Sequence, residues 1–286
     1  LLRSYIQWEK KCVNKFNGMW SFVIFDKKKN TFFCSRDRYG IKPFYYYYDN
    51  DKFIFASEIK SIINYFEELN KPDFQSLYGY LYLNRGGESS YTWFDGIKRL
   101  QPAHNLTLKN YKKKIFRYWN YPKKKHKVSF QEAKSIFYKK ISNSIKIRLR
   151  SDVPVSTTLT SGIDSNVISA FASKYNEKKI NSYTIYNNEE RYLQSDRNFF
   201  NQDVNLNEST LLKKNKDFYN LEQHLYELND NNFYKKLKKC IYHLDSGHSS
   251  TAVVSLLQLY EKVKIKNKVL LEGQGADELL GGYITD

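Results

Sequence analysis

The sequence predicts an α+β unit rich in antiparallel strands, followed by an α/β unit built on a doubly wound parallel sheet. Three observations carry this expectation. Apolar runs paired across short polar turns fill the first hundred residues, which is the signature of hairpins. From Ser129 onward the apolar period becomes helical and strands alternate with helices, as in parallel sheets. Two small-residue loops, Thr160-Ser-Gly-Ile-Asp-Ser165 and Glu272-Gly-Gln-Gly-Ala-Asp-Glu278, each follow an apolar, β-prone run, Val153 to Leu159 and Lys268 to Leu271. Open α/β sheets bind their ligands at such strand ends.

The elements follow in order. Trp20 to Asp26 and Thr31 to Arg36 flank the turn Lys27 to Asn30; Phe44 to Tyr48 and Lys52 to Ala56 flank Asp49 to Asp51. A short helix is expected over Asp73 to Leu83 with Asp73 as its cap. Trp93 to Ile97 and a strand around Asn105 to Leu108 close this part, and Lys123 to Lys127 reads as a linker. The expected boundaries are 1–121 for the first domain, 122–128 for the linker and 129–286 for the second domain. Ser129-Phe-Gln-Glu132 is a capping-box pattern. Phe130, Ala133, Phe137, Ile141, Ile145 and Leu149 then recur at helical spacing, predicting one buried face. Strand Val153 to Leu159, helix Asn166 to Lys174, strand Ile180 to Ile185 and strand Lys268 to Leu271 complete the alternation. Tyr186 to Lys235 is polar, aromatic and poorly periodic, and no element is assigned there.

At 286 residues the chain is long enough for two cores. No apolar run reaches the roughly 18 residues of a membrane span, and no membrane partner is expected. Three cysteines, Cys12, Cys34 and Cys240, are widely spaced and odd in number. They argue against a disulfide scaffold and for a reduced, cytoplasmic setting. The formal charge of +17 raises nucleic acid as a partner. The lysines cluster at turns and tails, including Lys27 to Lys29, Lys112 to Lys114 and Lys213 with Lys214, and arginine is sparse. That pattern reads as solvated loops, so nucleic acid is not the expected partner. Cys240, His243, Asp245 and His248 lack the cysteine pair of a zinc site and read as local polarity. The Tyr45 to Tyr48 run reads as strand packing.

The two loops carry the chemistry. Backbone N–H groups of a small-residue loop at a helix N-terminus make an anion site. Asp164 and Asp277 supply one carboxylate per loop, the oxygen donors that Mg²⁺ takes when it also holds phosphates. A nucleotide with a divalent metal is the reading.

The first loop resembles the pyrophosphate loop of the ATP pyrophosphatase superfamily. The second, with Gly281-Gly-Tyr283 behind it, is similar to a segment of glutamine-dependent asparagine synthetases. Asn17 to Phe22, Arg36 to Pro43 and Phe55 to Lys60 resemble the later part of a class II glutamine amidotransferase domain. The resemblance thus implies the C-terminal part of an antiparallel amidotransferase domain first, then the N-terminal part of an ATP pyrophosphatase-type synthetase domain. It implies that ATP activates a carboxylate, aspartate by the family's habit, as an acyl-adenylate, and that glutamine-derived ammonia displaces AMP. Carried over by position, Thr158, Thr160, Ser161, Gly162, Ile163, Asp164, Ser165, Ile185, Glu272 and Gly273 would bind ATP and its pyrophosphate. Asp164 and Asp277 would hold Mg²⁺. A homodimer is left open by the resemblance, as is a non-catalytic remnant of the family.

Three positions depart from the resembled pattern. Ser161 stands where glycine is usual, which would strain the loop if that position needed φ > 0. Gln274 stands where glutamate is usual, at a contact to the incoming nucleophile or the intermediate, and cannot accept a proton. Glu272 replaces a small residue near the nucleotide. These departures keep open an acceptor other than aspartate, such as a sugar acid of a surface polysaccharide. The family's N-terminal cysteine nucleophile has no counterpart, since residue 1 is Leu1. The expectation is therefore a piece of a longer protein.

Overall fold

The computed structural model describes residues 1–49, 51–83, 90–123, 127–186, 212, 219–229, 231–248 and 250–282. The chain divides into two compact units, residues 1–125 with 241–249, and residues 126–240 with 250–286.

In the first unit, strands β1 (Ser21–Asp26), β2 (Thr31–Arg36), β6 (His104–Lys109) and β7 (Lys112–Arg117) form an antiparallel sheet in the order β1-β2-β6-β7. Strands β3 (Tyr45–Tyr48), β4 (Phe53–Ala56) and β5 (Lys98–Arg99) form a second, in the order β4-β3-β5. Both expected hairpins are present, with Val23 opposite Cys34 and Tyr46 opposite Phe55. Helices α1 (Leu2–Trp8), α2 (Ile59–Ile63) and α3 (Phe74–Leu83) and two 3-10 helices, Glu9–Lys15 and Glu67–Leu69, lie in the same unit. Asp73 caps α3, its carboxylate accepting the Ser76 N–H at 2.8 Å. The lysines at 112–114, read from the sequence as a turn cluster, lie on β7, which among the described residues pairs only with β6. Lysine on an edge strand keeps the open ladder from pairing with other chains.

The core of this unit gathers Cys34, Phe44, Tyr46, Leu100 and Leu106 in one cluster and Tyr5, Cys12, Val13, Ile24 and Phe33 in another. All three cysteines are buried free thiols. The Arg36-Asp37 pair bonds to backbone groups. Arg36 donates to the carbonyls of Gly40, Lys42 and Leu100, each at 2.7 Å. Asp37 accepts from the N–H groups of Trp20, Tyr39, Ile41 and Lys42 at 2.9–3.3 Å. Both side chains are buried, and their partners satisfy them. This part of the amidotransferase-like motif is therefore structural.

The segment 241–249, remote in sequence, belongs to the same unit. Asp245 accepts the N–H groups of Ile59 at 2.8 Å and Lys60 at 3.4 Å, so a residue 186 positions away caps α2. The cap residue of α2, Glu58, makes no side-chain cap of its own. The Lys60 ammonium lies 3.1 Å from Asp245 and 3.1 Å from Glu58. Burial pulls the Lys60 pKa down, yet the two carboxylates prevail and hold it above its ordinary value.

In the second unit, strands β8 (Val155–Thr158), β9 (Ile180–Tyr186), β10 (Leu221–Glu227) and β11 (Val269–Leu271) form a parallel sheet in the order β10-β9-β8-β11. Helices α4 (Phe130–Arg148) and α5 (Ile163–Tyr175) cover one face through Ile145, Ala172 and their neighbours. Helix α7 (Ala252–Lys266), which follows α6 (Phe233–Leu244), covers the other through Leu259 and Val263 against Tyr183. A short helix, α8 (Ala276–Leu280), follows β11. β10 lies inside the stretch to which the sequence assigned no element; residues 187–211, 213–218 and 230 of that stretch are outside the described residues.

The capping box of α4 forms as predicted, with Ser129 N–H to Glu132 at 2.9 Å and Glu132 N–H to Ser129 Oγ at 3.3 Å. The predicted buried face forms only in its second half. Ile145 is buried and Ile141 and Leu149 pack beside it, whereas Phe130 is 79% exposed and Phe137 48% exposed. Periodicity reports which residues share a face, and only the C-terminal half of α4 meets α5 and the sheet.

Removing the Asp245 carboxylate leaves the Lys60 ammonium without its most buried partner and α2 without its cap. Asp245→Ala is expected to destabilise the first unit by about 3 kcal/mol. Urea unfolding followed by tryptophan fluorescence checks this; all four tryptophans, Trp8, Trp20, Trp93 and Trp119, lie in that unit.

Candidate nucleotide site

The strand order of the second unit reverses at β8. From β8 the chain steps outward to β9 and β10, then returns to place β11 on the other side. β8 and β11 run parallel with Val155 opposite Val269 and Thr157 opposite Leu271, so the loops leaving both strands open at one end of the sheet. This is the topological switch point, where the crevice of a doubly wound sheet lies.

The loop after β8 is held by its own side chains. The Leu159 N–H donates to the Tyr183 carbonyl at 3.0 Å, and Thr184 Oγ1 donates to the Leu159 carbonyl. Thr160 N–H donates to Ser165 Oγ at 3.0 Å, and Gly162 N–H donates to Thr160 Oγ1 at 3.1 Å. The two hydroxyls lie 2.8 Å apart. Asn166 Nδ2 donates to the carbonyls of Thr160 and Gly162, both at 2.8 Å. Thr160, Ser165 and Asn166 therefore shape the loop so that it enters α5 with Gly162 as the extended N-cap (φ −70°). The helix starts at Ile163, three residues before the expected Asn166, which brings Ile163, Asp164 and Ser165 into its first turn. The N–H groups of a first turn point out of the helix toward anions. Ser161 has no positive φ, so serine is accommodated there without backbone strain.

Gly273 brings the second loop onto the first. A Cβ on Gly273 would lie 2.9 Å from Asp164 Cβ and 3.2 Å from the Ser165 nitrogen, so any side chain there would push the loops apart. Asp277, in the first turn of α8, rests its Oδ1 where a Cβ on Gly282 would stand, 2.0 Å away. The Gly281 and Gly282 N–H groups donate to the Asp277 carbonyl at 2.9 and 3.1 Å, closing the turn. Tyr283 of the Gly-Gly-Tyr segment lies outside the described residues.

Glu272 directly follows β11 and is half-buried, and its Oε1 accepts the Tyr260 hydroxyl of α7 at 2.9 Å. Burial raises the Glu272 pKa above the usual carboxylate value, and the Tyr260 bond opposes this only in part. Tyr260 is itself raised, by burial first and then by the Glu272 charge. Thr158 ends β8, its carbonyl accepting Ser169 Oγ at 3.3 Å. Ile185 packs against the cluster of Tyr183, Leu259 and Val263 on the α7 face, and Gln274 is exposed. Asn166 and Tyr260 escaped the sequence reading. An Asn just after a small-residue loop is a local signal for side-chain to backbone bonding; nothing in the sequence pairs Tyr260 with Glu272.

Chemically the arrangement offers first-turn N–H donors, hydroxyls and two carboxylates on converging loops. Among the described residues no group of three or more His, Cys, Asp or Glu side chains is placed to hold a metal. A carboxylate pair is the donor set that suits Mg²⁺, which completes its shell with phosphate oxygens and water.

Residues 1–119 match the family model of a glutamine amidotransferase domain, and residues 137–285 match that of asparagine synthase. Asparagine synthetase [glutamine-hydrolyzing] 3 of Bacillus subtilis is 32% identical over 99% of this chain and 46% of its own length. A putative asparagine synthetase [glutamine-hydrolyzing] 2 of Methanocaldococcus jannaschii is 31% identical over 100% of this chain and 53% of its own length. Amidase chry2 of Gibberella zeae is 27% identical over 95% of the chain and 40% of its own length. The chain thus spans about half the length of the relatives it matches.

The hydroxyl of Thr160 is the acceptor for Gly162 and the partner of Ser165. Thr160→Val, which keeps the shape and removes the oxygen, is expected to speed amide hydrogen exchange at Gly162 by about tenfold. Exchange read by NMR checks this, with the Ala172 amide in the α5 interior as the unchanged control.

Proposed function

Given that the chain belongs to the asparagine synthase family and carries a glutamine amidotransferase domain ahead of the synthase domain, we propose that the whole protein is an ATP-dependent carbon–nitrogen ligase. Glutamine supplies ammonia. ATP activates an acceptor carboxylate as its acyl-adenylate with release of pyrophosphate, and ammonia displaces AMP to give the amide. Aspartate is the proposed acceptor. The proposed boundaries are 1–121 for the later part of the amidotransferase domain, 122–128 for the linker and 129–286 for the first part of the synthetase domain.

The observation that carries this reading is the closure of the Gly273 loop onto Asp164 and Ser165 at the switch point. The loop of Thr160, Ser161 and Gly162 and the first turn of α5, with Ile163 and Ser165, bind and orient the phosphates. Developing negative charge on the departing pyrophosphate meets fixed donors there. Thr158, Ile185, Glu272 and Gly273 form the wall for the adenosine. Asp164 and Asp277 hold Mg²⁺, which when bound neutralises phosphate charge. Gln274, exposed beside Glu272, contacts the acceptor or the intermediate by hydrogen bonding and does not move a proton.

Asp164→Ala and Asp277→Ala are each expected to weaken Mg²⁺-dependent ATP binding by at least about tenfold, the effect of losing roughly 1.4 kcal/mol. Calorimetric titration of the folded chain checks this. Equal affinity in the wild type and both variants would remove the nucleotide assignment.

A further inference from the structure

Glu272 and Gln274 sit two residues apart on the loop that closes on Asp164, and they differ in what they can do with a proton. Gln274 is exposed and cannot bind one. Glu272 is half-buried, is tied to Tyr260 at 2.9 Å, and directly precedes Gly273, whose backbone touches the first loop. It lines a cavity of about 550 Å³ together with Tyr260, Lys264, Asn267 and Lys268.

We propose that Glu272 is the proton-accepting carboxyl of the nucleotide site: it takes up one proton from solvent as Mg·ATP enters, with the Tyr260 hydroxyl as its fixed partner. The inference rests on the nucleotide reading above. A nucleotide whose adenosine packs against an already half-buried carboxylate strips more water from it and brings phosphate charge toward it, and protonation of that carboxylate answers both. A tyrosine hydroxyl can donate to a carboxylate or accept from a carboxylic acid. The Tyr260–Glu272 contact therefore survives the change of state and holds the side chain in place through it.

The other charged groups that face Glu272 act in both directions. From α7 and the turn before β11, Lys264 and Lys268 line the same cavity and favour the charged form. From the first loop, Asp164 reaches Gly273 and disfavours it. Bound Mg²⁺ offsets part of the phosphate charge. Uptake requires that desolvation and the uncompensated phosphate charge outweigh the two lysines. Without nucleotide, burial already outweighs the Tyr260 bond and holds Glu272 above the ordinary carboxylate value. A raised carboxyl holds its proton more tightly folded than unfolded, so its contribution to stability falls as pH rises through the raised value. Nucleotide binding extends that window upward.

Titrating the full chain with Mg·ATP in two buffers of equal pH and different ionisation enthalpy counts the protons taken up. The wild type is expected to take up a fraction approaching about one proton per nucleotide, rising as pH falls toward the Glu272 range. Glu272→Gln is expected to lose that uptake per nucleotide bound, whatever its affinity for Mg·ATP. Tyr260→Phe, which removes the bond favouring the charged form, is expected to retain uptake with its pH window moved upward. Binding with the same proton count in wild type and Glu272→Gln would overturn this inference and leave the nucleotide site intact. Absence of Mg·ATP binding by the folded wild type would overturn both.

Discussion

The close approach of Gly273 to Asp164 and Ser165 is the contact on which the candidate site depends. It exists because β11 pairs in parallel with β8, with Leu271 opposite Thr157, and because the next residue but one has no side chain. The sheet is fixed from both faces. Ile145 and Ala172 lie on one side, Leu259 and Val263 on the other, and each buried Ile, Leu or Val side chain contributes about 2 kcal/mol. A one-residue slip of β11 would turn Leu270 from its α7 face and carry Glu272 away from Tyr260. The apolar faces thus set the register, and the register sets the chemistry.

The two units solve their buried polarity differently. In the first, charge is neutralised locally. Asp37 is surrounded by N–H groups and Arg36 by carbonyls, and Asp245 both caps α2 and pairs with Lys60. Such fully satisfied groups hold the backbone in one arrangement and leave little for chemistry. In the second, the loop after β8 uses the Thr160 and Ser165 hydroxyls and the Asn166 amide to keep its shape, and the Asp164 and Asp277 carboxylates, one per loop, are the groups proposed for the metal. Family membership is shown by the match of residues 137–285 to the asparagine synthase model, and the geometry supplies the physical reason the loop residues sit where they do.

Much of this was legible in the residues. The hairpins, the Asp73 cap, the Ser129–Glu132 box and the parallel alternation all express short-range rules, and each is present. What was not legible depends on partners distant in sequence. Helical spacing in α4 named a face, but whether Phe130 or Ile145 is covered depends on where α5 and the sheet end. The lysines of β7 look like a turn because an edge strand with an open side needs no apolar alternation. The Asp245 cap of α2 spans 186 residues and leaves no local trace. Ser161 carries no backbone strain, because the loop reaches α5 without a left-handed residue at that position, and φ there is set by the loop's own bonds rather than by residue type.

The most direct test of the central claim is an amide chemical-shift map of the folded chain on titration with Mg·ATP. Convergence of the two loops into one nucleotide site predicts saturable shifts with a common affinity at Gly162, Ile163 and Asp164 and at Gly273 and Asp277, with the Arg36–Lys42 loop of the first unit unmoved. Shifts at only one of the two loops, or saturation centred elsewhere, would contradict it.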